Sequence, residues 1–349
     1  MDTPHSRMLS LLREAHERGA SDLHLSAAAP PMLRVNGVLE PAAAEPIAAA
    51  DVYAMALSLI GEAQAERFER AGELDFSYEL DGVSRFRINA YRQRGKASVA
   101  IRAIPAAVPT LEQLRLPPVL GTFAAKPQGL VLVTGPTGSG KSSTLAAMIH
   151  RINTTECKHI VTLEDPIEYV HGHGTCIIDQ REVGSDTQSF ASGLRAALRQ
   201  DPDVILVGEM RDPETISAAV TAAETGHLVF ATLHTTDAPQ TIDRIIDAYP
   251  GHQQGQIRAQ LAAVLVAVVS QRLLPGPQGR GRACATEILV HTPAVANLIR
   301  TEKTYQIKSL MQTGRQFGMH TLETSIKELL VAGLVDAGSA RAYLAEGGV

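Results

Sequence analysis

An α/β fold built on a phosphate-binding loop, preceded by a smaller α+β region, is predicted for this 349-residue chain by three observations. The first is Gly135-Pro136-Thr137-Gly138-Ser139-Gly140-Lys141-Ser142, which fits G-x-x-x-x-G-K-[ST]. Average residue usage would produce that pattern by accident in about one such chain in a hundred. The second is a series of apolar runs between residues 159 and 234, each leading into an acid or a histidine and separated by helical patterns, as in a parallel sheet. The third is a set of alternating runs and two-residue hairpin signals in the first hundred residues, as in an antiparallel sheet.

Composition sets the outer bounds. Hydrophobic residues make 45% and charged residues 20%, which is globular rather than disordered. The length allows two or three domains. A net charge of −5 argues against a dedicated nucleic-acid binder, and no nucleic-acid partner is expected. Cys157, Cys176 and Cys284 form no C-x-x-C pair, so a reducing compartment and no structural zinc are expected. The amphipathic N-terminus mixes acids and bases, unlike a signal peptide. The longest apolar run, 261–269, is too short to span a bilayer. A cytoplasmic protein able to dock on a membrane complex is expected.

In chain order, Met8, Leu9, Leu11, Leu12, Ala15 and His16 mark an amphipathic helix stopping near Gly19, with His16 on the surface. Residues 21–25 alternate as a half-buried strand does. Strands 32–35 and 38–39 flank Asn36-Gly37, a hairpin signal. Asp51 is expected to cap a helix running to about residue 60, and 62–70 reads as another. Strands 74–80 and 83–91 are joined by Asp81-Gly82, and 98–104 is a further strand. Arg85, Arg87, Arg92, Arg94 and Arg102 cluster here, with Arg85 and Arg87 on one face. They form either a solvated charged face or a source of arginines for the phosphates of a bound nucleotide. Residues 105–118, with Pro105, Pro109, Pro117 and Pro118, read as a linker between a domain at 1–104 and a second at 119–349.

In the second domain, strand 130–133 enters the glycine loop and helix 143–152 leaves it, with Leu145, Met148, Ile149 and Ile152 on one side. Glycines let the backbone wrap a phosphate with its N–H groups inward, and the helix start adds positive partial charge. Lys141 reaches for the β- and γ-phosphates, and the Ser142 hydroxyl suits Mg²⁺. Strand 159–163 ends in Glu164-Asp165, at the end of the sheet where ligands sit, and Glu164 is the first choice for general base. Helix 187–199 carries Arg195 and Arg199 four apart, as either a subunit contact or a solvated stripe. Strand 203–207 leads into Gly208-Glu209, the shape of a Walker B element. Its carboxylate suits the Mg²⁺ water shell or the attacking water. Helix 214–224 precedes strand 228–233, which has His227 at its start and His234 at its end. His234 stands where a γ-phosphate sensor would stand. A zinc site is not expected for want of further ligands. Helices 238–248 and 254–269 follow, then closing strands 271–274 and 285–290 around a glycine-rich turn at 275–281. Helices 294–300, 305–311, 322–332 and 339–344 complete the chain, broken by Gly314 and Gly318.

The ordered motifs resemble those of the secretion and pilus ATPases, and within them the type IV pilus retraction ATPase family. The likeness spans nearly the whole chain. It runs through Ala20-Ser-Asp-Leu-His-Leu25, Arg85-Phe-Arg-Ile-Asn89, the phosphate loop and Glu164-Asp-Pro-Ile-Glu168 (the Asp box). It continues through Gly208-Glu-Met-Arg-Asp212 (Walker B) and Thr225-Gly-His-Leu-Val229 to Leu233-His-Thr235 (the His box). The resemblance implies a PAS-like N-terminal domain, a RecA-like ATPase domain and a homo-hexameric ring with ATP and Mg²⁺ between domains. It implies work on an inner-membrane pilus platform protein from the cytoplasmic face, with other pilus motor ATPases as further partners. It places Gly135 to Ser143 on the nucleotide, Lys141 on the phosphates, and Ser142 and Glu209 on the metal. It makes Glu164 and Glu209 the catalytic carboxylates, His227 and His234 the His-box residues, and Arg87 or Arg102 the arginine finger. The four-cysteine zinc motif of the assembly and type II secretion branches is missing, which favours the retraction branch. That branch's Ala-Ile-Arg-Asn-Leu-Ile signature stands here as Ala294-Val-Ala-Asn297-Leu298-Ile299, with two positions changed, so an accessory retraction ATPase or a type II secretion-type ATPase is the neighbouring reading, and a nucleotide-gated switch protein is the alternative from another class.

Overall fold

Two units make up the chain: Met1–Ala107 with Glu168–Val170, and Val108–Ile167 with His171–Val349. The computed structural model describes residues 3–35, 37–104 and 107–346. The hairpin residue Asn36 and Pro105 of the expected linker lie outside them.

The first unit is α+β. It contains α1 (Pro4–Glu17), β1 (Asp22–Ser26), β2 (Met32–Val35), β3 (Val38–Pro41), α2 (Ala49–Leu57) and α3 (Glu62–Ala71). It ends with β4 (Glu73–Leu80), β5 (Ser84–Gln93) and β6 (Lys96–Ala103). The strands form one antiparallel sheet in the order β3-β2-β1-β6-β5-β4. Alternate residues of β1 and β5 are buried, and Leu23, Leu25, Phe86 and Ile88, with Val99 and Ile101 of β6, meet Met8 and Leu12 of α1, Val52 and Met55 of α2 and Phe68 of α3. Thr3 caps α1, its side chain accepting from Ser6 N, and His16 is exposed as expected.

Asp51 does not cap α2. Ala48 holds that position, and Asp51 lies inside the first turn, where it pairs with Arg7 at 3.1 Å and favours the positive end of the helix dipole. The β5–β6 turn, not anticipated from the sequence, places Arg94 and Gly95 at φ 49° and 72°, the double left-handed geometry of a tight hairpin.

The second unit is α/β. It opens with α4 (Val119–Ala124), β7 (Gly129–Thr134), α5 (Lys141–Thr155), β8 (His159–Glu164), β9 (Ile177–Glu182) and α6 (Phe190–Ala197). It continues with β10 (Val204–Val207), α7 (Pro213–Glu224), β11 (Leu228–Leu233), α8 (Ala238–Asp247), α9 (Gly251–Val264), β12 (Leu265–Pro275) and β13 (Arg282–Val290). Helices α10 (Pro293–Arg300), α11 (Ile307–Thr313), α12 (Leu322–Val331) and α13 (Ala337–Glu346) follow. The sheet order is β13-β12-β7-β11-β10-β8-β9, parallel throughout except β13. Both faces are covered, which is why the central strands are apolar without alternation. Val131 and Val133 of β7 face α4 and α5, while Leu130 and Leu132 face the core shared with α7, α8 and α9.

Four readings of this unit are corrected. The helix expected over 254–269 ends at Val264, and Leu265 begins β12. Its β-branched run pairs in parallel with β7 and is buried on both sides, where periodicity cannot tell strand from helix. The helix expected from 187 starts at Phe190, because Ser189 forms a capping box with Ser192. Strand β9 was not anticipated; it is an edge strand whose polar Asp179, Gln180 and Arg181 hide its period. Helix α4 was likewise not anticipated, and Leu111 and Leu116 of the expected linker stretch are buried in the second unit's core.

Candidate nucleotide site

Parallel register brings the sequence motifs to one edge of the second sheet. Leu233 pairs with Thr134, Val207 with Ala231 and Leu163 with Val207. The phosphate loop, His234, Glu209 and Glu164 therefore lie at the carboxyl ends of β7, β11, β10 and β8, which are successive neighbours. At roughly 4.8 Å per strand, the main chain of Glu209 lies about 10 Å from the loop's strand and that of Glu164 about 14 Å.

The loop between β7 and α5 holds Gly135, Gly138 and Gly140 at φ 141°, 77° and 91°. Gly135 has a second constraint: a Cβ there would stand 2.5 Å from the Gln271 carbonyl oxygen and 2.6 Å from Ser139 Oγ. Lys141, the first residue of α5, donates from Nζ to the carbonyls of Gly135 (2.8 Å) and Pro136 (3.1 Å), which keeps the ammonium over the loop. Ser139 Oγ is buried and has no hydrogen-bond partner among the described residues. An orphaned hydroxyl, left-handed glycines and the start of a 15-residue helix fit an anion held by main-chain amides. The hard oxygen donors of Ser142 and Glu209 suit Mg²⁺. Gln271 on β12, which the sequence did not single out, supports the loop from behind, with Nε2 2.8 Å from Thr144 Oγ1 on α5.

Glu209 follows β10 and Gly208. Its Oε2 lies 2.7 Å from the Arg211 guanidinium and its Oε1 3.1 Å from His234 Nε2. Burial pushes the carboxyl pKa up, but the Arg211 hydrogen bond and the charges of His234 and Arg211 outweigh it, so the group lies below its ordinary value. Glu164 ends β8. Its Oε1 accepts from Thr162 Oγ1 at 2.7 Å and from Gln180 Nε2 at 3.0 Å. Thr162, Gln180 and Arg211 were not read from the sequence as site residues. Their signal lies in strand pairing, which a single sequence does not print.

The type II/IV secretion system protein family model matches residues 3–339. Over 331 residues the chain is 49% identical to the type IV pilus retraction ATPase PilT of Pseudomonas aeruginosa, covering 95% of this chain and 96% of that one. The chain belongs to the type II/IV secretion ATPase family. Within it the chain groups with the pilus retraction ATPases. It is 49% identical to the twitching motility protein of Neisseria gonorrhoeae, over 96% of this chain and 89% of that one. The crystal structure of the pilus retraction motor PilT with bound ADP matches with a TM-score of 0.88 at 47% identity, covering 95% of each chain. The Legionella pneumophila ATPase DotB matches with a TM-score of 0.80 at 28% identity, over 97% of this chain and 95% of that one. The α/β fold and the ATPase assignment follow from these likenesses.

One candidate of this secretion ATPase, His227, lies away from the carboxyl edge of its own sheet. His227 precedes β11, at the opposite end from His234; seven residue steps at about 3.3 Å each separate them by roughly 23 Å. There His227 Nδ1 lies 2.9 Å from the Ala222 carbonyl and closes the turn after α7. Arg87 and Arg102 belong to the first unit, opposite one another on β5 and β6. Arg102 Nε holds Asp22 Oδ1 at 2.9 Å with the side chain 69% exposed, while Arg87 is half-buried and makes no ion pair among the described residues. Arg85 is held by Ser77 at 2.6 Å. Arg195 pairs with Glu214 at 2.5 Å within the chain, and Arg199 donates to the Arg195 carbonyl at 3.2 Å.

Proposed function

We propose that this retraction-family ATPase is a homo-hexameric motor that hydrolyses ATP with Mg²⁺ to drive type IV pilus retraction. It would work from the cytoplasmic face on an inner-membrane platform protein. The observation that carries the reading is the convergence of the phosphate loop, Glu209, His234 and Glu164 on one sheet edge. The near full-length likeness to PilT points the same way. No helix among the described residues is long and apolar enough to cross a membrane.

In this reading the main-chain N–H groups of the loop from Gly135 to Ser143, which Pro136 lacks, bind the phosphates and Lys141 swings from its carbonyl contacts onto the β- and γ-oxygens. Ser142 and Glu209 would hold Mg²⁺, which supplies charge neutralisation at those oxygens when bound. Glu164 takes the proton of the attacking water, and His234, oriented by Glu209, reports the γ-phosphate to the β11–α8 turn. Arg87 or Arg102 is proposed as the arginine finger. His227 serves the fold of the same subunit, or a neighbouring subunit's site.

An accessory retraction motor is the second reading. The residue at the signature's arginine position is Ala296, buried in the core on α10, and PilU of Pseudomonas aeruginosa is 41% identical over 95% of this chain. The test is steady-state ATP hydrolysis of the purified chain beside Lys141→Ala, with particle mass recorded together. Turnover by hexamers, reduced more than about a hundredfold in the variant, is expected. Hexamers that bind ATP without turnover, alone or with platform protein, would convert the motor into a nucleotide-gated switch. Complementation of pilus retraction in cells then separates main from accessory motor.

A further inference from the structure

Two side chains outside the family motifs converge on Glu164. Thr162 stands two residues earlier on β8 and so on the same face. Gln180 lies on β9, directly opposite Thr162 in the parallel register. Thr162 Oγ1 donates at 2.7 Å and Gln180 Nε2 at 3.0 Å, and both bonds end on Oε1 of Glu164. Gln180 is itself oriented, because its Oε1 accepts from His171 N at 2.7 Å. An amide carries its acceptor and donors on opposite arms, so engaging the oxygen on the main chain aims the NH₂ at Glu164. The end of the same strand and the residue after it anchor the surrounding loop: Glu182, 4% exposed, accepts from Ile167 N at 3.2 Å, and Val183 N donates to the Glu164 carbonyl at 2.8 Å.

We infer that Thr162 and Gln180 are positioning residues that hold the Glu164 carboxylate in the direction needed for proton abstraction. The inference rests on Glu164 being the general base. A carboxylate at a strand end has three torsions to settle. Two donors on one oxygen set the carboxyl plane, and a displacement of about 1 Å at a reacting group costs on the order of a hundredfold in rate. Edge strand β9 thus has a task beyond completing the sheet: it carries the second donor, beside the one Thr162 supplies from the base's own strand.

Three substitutions separate positioning from folding. Thr162→Val keeps the shape and loses the hydroxyl, while Thr162→Ser keeps the donor. Gln180→Glu keeps an acceptor for His171 N–H and removes the donor facing Glu164. Steady-state hydrolysis by the full chain at saturating Mg-ATP, with Mg-ADP affinity measured by calorimetry, reads the outcome. Thr162→Val and Gln180→Glu should each lower kcat roughly ten- to a hundredfold with Mg-ADP affinity within about threefold of the parent. Thr162→Ser should restore most of the rate, and neither change should lower the rate further in a Glu164→Gln background. Full rates in both variants beside an inactive Glu164→Gln would overturn the positioning role and leave the base in place. A fully active Glu164→Gln would remove the base reading and this inference with it. An equal loss in Thr162→Ser and Thr162→Val would reduce both contacts to packing.

Discussion

His234 Nε2 lies 3.1 Å from Glu209 Oε1, across the carboxyl ends of two neighbouring parallel strands. The contact joins the Walker B and His-box motifs, which the chain separates by 25 positions, at the edge that carries the phosphate loop. Glu209 is thus held from two sides, by His234 on one oxygen and Arg211 on the other.

Glu209→Gln keeps the shape and deletes the charge that both partners meet. It should lower kcat by about a hundredfold or more while Mg-free nucleotide binding stays within about threefold. His234→Ala, which leaves Glu209 paired with Arg211 alone, should fall about ten- to a hundredfold in kcat. Unchanged turnover in His234→Ala would remove the histidine from the reaction.

Gly135→Ala places a methyl 2.5 Å from a main-chain oxygen of Gln271 that has no room to yield. A cost of about 1–3 kcal/mol is expected, with nucleotide binding lost. Gly138→Ala meets nothing within 4 Å, so only the left-handed penalty of about 1 kcal/mol applies. Thermal melts of the two variants, with and without Mg-ADP, check the order; a Gly138→Ala at least as destabilising as Gly135→Ala would contradict it.

Glu287 on β13 is 5% exposed and accepts from the N–H of Ala238, the first residue of α8, at 2.9 Å. Glu287→Ala leaves that buried donor unpaired and should cost about 1–3 kcal/mol, whereas Glu287→Gln retains an acceptor and should cost under about 1 kcal/mol. The carboxyl's pKa is pushed up by burial, so neutral glutamine replaces a group that pays to ionise there. Denaturant titration of both variants reads the difference, and equal losses would show that the hydrogen bond does not matter.

His159 faces acceptors at both ring nitrogens, the Asp201 carbonyl at 3.2 Å and the Asp179 carboxylate at 2.9 Å. Burial lowers its pKa, but these partners outweigh burial and the net shift is upward. A raised folded pKa stabilises fully below the unfolded value near 6.5, and the stabilisation is lost as pH rises through the folded value. Asp179→Asn should therefore cost about 0.5–1 kcal/mol at pH 5.5 and little at pH 9. Chemical denaturation at the two pH values tests the sign; the same loss at both would deny the charge a part.

The sequence by itself determined the α/β class, the phosphate loop and the strand ends that bear Glu164, Glu209 and His234, since each is a local pattern of one residue type following an apolar run. It also carried the hairpin at Asp81-Gly82, because turn chemistry is local. Tertiary structure decided what pairing decides. It made residues 265–269 strand rather than helix and added β9 at the sheet edge. It sent His227 to the far end of β11 and set Gln180 and Thr162 on one oxygen of Glu164. Side-chain partners across strands are fixed by register, and register arises only when segments far apart in the chain are packed against a common core.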